Sequence, residues 1–154
     1  MSVQIVLGSK SDMKVAEKAI AVLRELGIKY KLSIASAHRT PELVDKLVAE
    51  ADAEVFIAIA GLSAALPGAI AARTIKPVIG VPVSGTLNLD AILSVVQMPP
   101  GVPVAGVGLD RGENAALLAA AMLALKDGKI RKVLSNYRQK LKDQVVLDSK
   151  DVET

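Results

Sequence analysis

The sequence predicts an α/β domain built on an open parallel sheet, and three observations carry that reading. Short runs of Val, Ile, Leu and Ala alternate with longer stretches whose apolar residues recur at helical spacing. Each short run ends in Gly, Ser or Pro, as buried parallel strands end in turns. Apolar residues make up 51% of the chain and aromatic ones only 2%, so aliphatic side chains supply the core of a sheet covered on both faces. The crossovers between such strands are right-handed, and ligands bind beyond the carboxyl ends of the strands.

The first strand is "VQIVLG", residues 3–8. "SDMKVAEKAIAVLRELG" follows as a helix, with Val15, Ala19, Val22, Leu23 and Leu26 on one face and Gly27 as its stop. "IKYKLSIAS" alternates and forms the second strand. "PELVDKLVAEA" is a helix with Pro41 in its first turn, where a missing N–H costs nothing. "EVFIAIAG" is the third strand, "SAALPGAIAART" a short helix with a Pro-Gly irregularity, and "PVIGVPV" the fourth strand. "LDAILSVVQM" is a helix and "VPVAGVG" the fifth strand. "ENAALLAAAMLALKDG" is apolar on nearly every face through its middle and belongs deep in the protein. A more polar helix over about residues 129–146 closes the chain.

A length of 154 residues suits one domain. With no Cys there are no disulfides and no thiolate sites, which is compatible with a reducing compartment. A mean hydropathy of +0.41 is more apolar surface than a small monomer hides easily, which points to subunit contacts. The net charge of +3 arises entirely from residue 126 onward, where eight Lys/Arg meet five Asp/Glu; residues 1–125 hold eleven of each. A basic tail of this kind is ordinarily a solvated helix face. Tyr30, Phe56 and Tyr137 are too scattered to stack bases, so no nucleic-acid partner is expected. Residues 55–72 are uncharged, but Gly61, Ser63, Pro67 and Gly68 interrupt them, so a strand, a loop and a helix explain the run and no membrane span is expected.

The chemistry therefore falls to the loops after the strands. "GSKSD", residues 8–12, combines Gly8, the hydroxyls of Ser9 and Ser11, and a following helix N-terminus, which together suit a phosphate. It has neither Walker nor dinucleotide spacing, and Ser11 or Asp12 also reads simply as a helix cap. "SAHRT", residues 36–40, holds the single His of the chain. Arg39 can grip a phosphate through two parallel hydrogen bonds, and His38 is the side chain whose ordinary titration range brackets neutrality. The plain alternative is a surface His beside a surface Arg. "AGLSAALPG", residues 60–68, is small and uncharged and can wrap a flat neutral ring, or form a tight turn inside an oligomer. "PVSGTLNLD" and "VQMPPGVPV" crowd the same sheet edge as if to close a pocket, and "DRGEN" caps a helix or joins subunits. A zinc site would have to rest on carboxylates, and no suitable cluster is present. A nucleophilic triad lacks its G-x-S-x-G elbow.

Taken together, "GSKSD", "SAHRTP", "AGLSAALPG", "GVPV", "VQMPPGVPV" and "NAALLAA" stand in the order of the purine-biosynthesis family that makes carboxyaminoimidazole ribonucleotide, and the chain resembles that family over about residues 3–125. The family holds N5-carboxyaminoimidazole ribonucleotide mutases and aminoimidazole ribonucleotide carboxylases. The resemblance implies a three-layer α/β/α, flavodoxin-like fold in a cytoplasmic homo-octamer, with active sites at subunit contacts. Beside the resemblance, the chain is expected to form a catalytic domain over residues 1–127 and a helical tail over 128–154 that packs on a neighbouring subunit. Ser9, Ser11, Ser36 and Arg39 match positions that hold the substrate phosphate, and Asp12 matches the residue that bonds the ribose hydroxyls. Gly61 and Leu66 match the loop around the imidazole and its carboxyl group. Gly8, Ala37, Leu62 and Ser63 complete the substrate-binding set, and His38 matches the catalytic proton carrier. The expected partners are a nucleotide substrate and CO₂; no metal, biotin or ATP is expected.

Two activities divide the family, and the sequence is mixed between them. Typical bacterial mutases carry a second His in the third loop, "AAHLPG", where this chain has Ala65. "AGLS" follows the direct carboxylases, whereas Arg39 and "VQMP" follow the mutases. On balance these features lead to an expectation of direct carboxylation with CO₂, with the mutase reaction as the alternative. A non-catalytic nucleotide sensor and a basic nucleic-acid accessory protein are the readings from other classes.

Overall fold

A computed structural model of the chain describes residues 1–152. Five parallel strands, β1 (Ser2–Leu7), β2 (Lys29–Ile34), β3 (Val55–Ala60), β4 (Val78–Pro82) and β5 (Ala105–Gly106), lie in the order β2-β1-β3-β4-β5. This is the flavodoxin-like order, whose ligand crevice opens where the chain reverses direction across the sheet, between β1 and β3. Among the described residues, five helices flank it, α1 (Met13–Glu25), α2 (Pro41–Glu50), α3 (Leu66–Ala71), α4 (Asn88–Val96) and α5 (Gly112–Ala124), and α6 (Gly128–Val152) packs on α5.

Strand alternation divides the core in two. Val3, Ile5 and Leu7 of β1 and Val55, Ile57 and Ile59 of β3 face α1 and α5 on one side. Val6, Phe56, Ala58 and Ala60 face α2, α3 and α4 on the other. Gln4 is buried on that second face, and its amide donates to Ile5 O and Ser33 Oγ, which satisfies a group otherwise costly to desolvate. Gly27, at φ +67°, ends α1: its N–H donates to Arg24 O, and that of Ile28 to Leu23 O. These two bonds close the Schellman arrangement that a left-handed residue permits.

Several elements differ from their sequence expectation. A 3₁₀ turn, Lys10–Asp12, precedes α1. α3 begins only at Leu66, with Pro67 in its first turn, instead of at residue 63. β5 shrinks to two residues, with Pro103, which cannot donate to a ladder, shortly before it. β2, at the sheet edge, leaves Lys29 and Lys31 exposed, so the sheet is not covered across its full width. α6 continues to Val152 and has no buried residue. Among the described residues no helix is long and apolar enough to cross a membrane.

Candidate active site

Past the ends of the strands, backbone hydrogen bonds continue the sheet and draw the loops together. Gly8 N–H donates to Ile59 O (3.0 Å), Ala35 N–H to Leu7 O (2.9 Å), and Val83 N–H to Ala60 O (3.0 Å). The loops after β1, β2 and β3 are thereby held side by side over the β1/β3 crevice. They enclose a cavity of about 320 Å³.

The first loop contributes Gly8, Ser9, Ser11 and Asp12 to the cavity lining; the second, Ser36, Ala37, His38 and Arg39; the third, Ala60, Gly61, Leu62, Ser63 and Leu66. Every site residue expected from the sequence lines it. Ala60 was missed, because as the last residue of β3 it carries no polar group to attract notice.

The first loop is shaped by its own side chains. Ser9 Oγ accepts from Ser11 N–H, and Asp12 Oδ2 accepts from Ser9 N–H at 3.1 Å, a reciprocal cap on the 3₁₀ turn. The cap is Ser9, not Ser11 or Asp12 as the sequence suggested: Asp12 is the reciprocal partner in the box and makes no side-chain cap on α1. Capping does not compete with a ligand role, since the capped turn forms the cavity wall. Asp12 is buried, and burial pushes its carboxyl up from the ordinary carboxylate range. Hydrogen bonds from Ser11 and the Ser9 backbone, and the charge of Arg39, pull against that shift.

The second loop is folded around Ser36 and Thr40. Ser36 N–H donates to Thr40 Oγ1, and Ser36 Oγ accepts from both Arg39 N–H and Arg39 Nε. Arg39 Nη2 reaches across to Gly8 O at 3.1 Å, which ties the second loop to the first. His38 sits exposed at the cavity rim. The third loop brings no charged side chain, and its Leu62–Ser63 peptide bond is cis.

Two expectations are corrected here. "PVSGTLNLD" and "VQMPPGVPV" do not close this cavity: Val83 packs behind Gly61, and Met98 lies behind Gly68. No side chain of "DRGEN" caps the start of α5; Asp110 accepts from Ser84 N–H at 2.8 Å and braces that outer loop. Ala65, which with "AGLS" carried the expectation of direct carboxylation, is not among the cavity-lining residues; it sits one residue before α3 with its backbone already helical. Among the described residues no group of three or more His, Cys, Asp and Glu could hold a metal ion.

The arrangement has three chemical parts. Arg39, the serine hydroxyls and a capped turn offer donors to an anion. A buried carboxyl can accept from ligand hydroxyls. An uncharged loop and a single imidazole, His38, border the same cavity.

Comparison with known proteins places these features in a family. The family model described as AIR carboxylase matches residues 2–144. A Methanocaldococcus jannaschii protein named N5-carboxyaminoimidazole ribonucleotide mutase is 58% identical over 96% of this chain and 95% of its own. A Pyrococcus abyssi protein of the same name is 48% identical over 91% of this chain and 83% of its own. The crystal structure of Treponema denticola PurE superposes with a TM-score of 0.90 at 33% identity, covering 99% of this chain and 98% of that one. Both relatives carry the mutase name, so the comparisons favour the alternative over direct carboxylation.

Proposed function

The chain belongs to the AIR carboxylase family, and from that premise we propose that it moves the carboxyl group of N5-carboxyaminoimidazole ribonucleotide from the exocyclic nitrogen to the ring carbon. One observation supports this above the others: His38, Arg39 and Asp12 line a single cavity of about 320 Å³ whose third wall is uncharged. Arg39, Ser9, Ser11 and Ser36 hold the substrate phosphate, Asp12 accepts from the ribose hydroxyls, and the third loop receives the imidazole.

In the reaction the N–CO₂ bond breaks and CO₂ stays against the neutral third loop. The electron-rich ring carbon then captures it. The proton on that carbon must leave, and the exocyclic nitrogen regains one; His38 is the carrier. A positioned general acid/base contributes roughly 10²–10⁴-fold. Holding CO₂ beside the ring carbon replaces an encounter by proximity, and a wall without charges gives it no nucleophile. No step calls on a metal or an organic cofactor. The protein works in the cytoplasm as a homo-oligomer, an octamer, with the tail over residues 128–154 packed on a neighbouring subunit.

A label-partition assay tests the reading. The protein receives unlabelled N5-carboxyaminoimidazole ribonucleotide with excess carbon-labelled bicarbonate, and early product is weighed. Unlabelled product is expected. Labelled product, formed also from aminoimidazole ribonucleotide and bicarbonate alone, would make the protein a direct carboxylase. Absence of product above the uncatalysed rate would leave a nucleotide sensor. His38→Ala should fold and lose turnover by roughly 10²-fold or more; wild-type-like rates in that variant would remove His38 from the chemistry.

A further inference from the structure

Arg39 stands in a wall between two cavities. One is the cavity described above. The second, of about 330 Å³, is lined on its far side by Lys10, Thr40, Ile34 and Leu43, and shares Ser9, Ser36 and Arg39 with the first. No acidic side chain lines it. Lys10 projects from the capped turn, is exposed, and forms no ion pair with the described residues. Two cations and three hydroxyls thus border a hollow that the proposed reaction does not use.

The state of Arg39 matters here. Its guanidinium carries five N–H donors in a fixed fork. Nε is committed to Ser36 Oγ and one Nη2 hydrogen to Gly8 O. Three donors remain, on a group that lines both cavities. A phosphoryl group held by Ser9, Ser36 and Arg39 is thus bound by residues that also border the second cavity. A monophosphate ends at those residues. A second phosphoryl group attached to the first brings added negative charge toward Lys10, in a cavity that no carboxylate lines.

We infer that the second cavity is a subsite for a further phosphoryl group, so that a diphosphate binds across Arg39 and competes with the monophosphate substrate. This rests on the reading that Arg39, Ser9 and Ser36 hold the substrate phosphate. The ligand class is a diphosphate, either inorganic pyrophosphate or the 5′-diphosphate of a nucleoside. Its effect is inhibition of the same site when diphosphates accumulate, with no second conformation needed. Lys10 is the selectivity residue, because it borders only the second cavity.

Calorimetric titration of the full chain with orthophosphate and with pyrophosphate, at constant ionic strength, tests this. Pyrophosphate should bind about tenfold tighter, the scale of one charge-assisted hydrogen bond. Lys10→Ala should remove most of that gap, leave orthophosphate affinity and substrate KM within about twofold, and Lys10→Arg should restore it. Equal weakening of both ions in Lys10→Ala would reduce Lys10 to a general field and overturn the subsite, as would pyrophosphate binding no tighter than orthophosphate. ADP titrated beside pyrophosphate identifies the source: tighter binding points to a nucleotide, weaker binding to the free ion, and both require the subsite. Turnover measured on the same samples separates the two readings. Lys10-dependent pyrophosphate binding without turnover sinks the catalytic reading alone, and turnover without it sinks the subsite alone.

Discussion

Asp12 shows how a single side chain can be both scaffold and site. Its carboxylate closes the cap on the first loop through Ser9 N–H and Ser11 Oγ, at 3.1 and 3.2 Å. It does so while buried, and burial raises its pKa above the ordinary value of 3.8. The consequence for stability has a definite sign. As pH rises past 3.8, the unfolded chain gives up this proton first, so the folded state holds more protons and loses stability until its own raised pKa is passed. Asp12→Asn has no such proton. Denaturant unfolding at a series of pH values should show wild type losing ground to Asp12→Asn through that window and a constant difference above it. A difference that does not change with pH would mean that burial is not the dominant influence on this carboxyl. A ligand hydroxyl that donates to Asp12 offsets part of the same burial cost, which ties the residue's strain to its proposed role on the ribose.

At the scale of elements, the contact between α1 and α5 sets the tolerance of the fold. Ala16 and Ala19 of α1 and Ala115, Ala116, Ala119 and Ala120 of α5 are buried without exposure to solvent. Such small side chains let two helices approach closely. At the start of α5 the approach is closer still: a Cβ on Gly112 would lie 2.1 Å from Val15 O and 3.2 Å from Ala19 N. The obstacle is backbone and cannot rotate away. Gly112→Ala gains up to about 1 kcal/mol of helix propensity, yet overpacking of this kind costs about 1–3 kcal/mol, and more against a fixed carbonyl. The expected result is net destabilisation by about 2 kcal/mol in urea unfolding; a variant as stable as wild type would show that α5 can shift without cost. The apolar periphery of α5 explains why it reads as buried on nearly every face: α1 and the sheet take one side, and Ile130, Leu134 and Tyr137 of α6 reach the same core from the other.

The whole molecule exposes more apolar surface than its core accounts for. Leu87, Leu89 and Val96, in and beside α4, are 59%, 68% and 51% exposed. α6 spans 25 residues and α5 only 13, so α6 outruns its partner by about 18 Å at 1.5 Å per residue. Val145 and Val152 extend its apolar stripe into that overhang and are 67% and 84% exposed. An exposed stripe of this sort is what a subunit contact buries. Removing residues 142–154 leaves Ile130, Leu134 and Tyr137 in place and should lower the mass in solution, measured by sedimentation, relative to the full chain. An unchanged mass would take the tail out of the assembly.

Residues 8–12, 36–40 and 60–68 were legible as cavity loops because their character is local. Periods of two and 3.6 residues mark the strands and helices between them, and Gly, Ser and Pro mark where each strand gives way. The order of loops carried the family, which the match over residues 2–144 bears out. The sequence by itself thus determined the fold class, the alternation of strands and helices, and which three loops line the cavity. Only the tertiary structure decided that Ala65 stays out of the cavity lining, that "PVSGTLNLD" lies behind the third loop, and that Arg39 divides one hollow from another. Those facts depend on strand register, on which way a helix start turns its side chains, and on a hydrogen bond between Arg39 and Gly8, 31 residues apart. Spacing along a chain encodes faces, whereas neighbours across a sheet are set by packing, which no local period records.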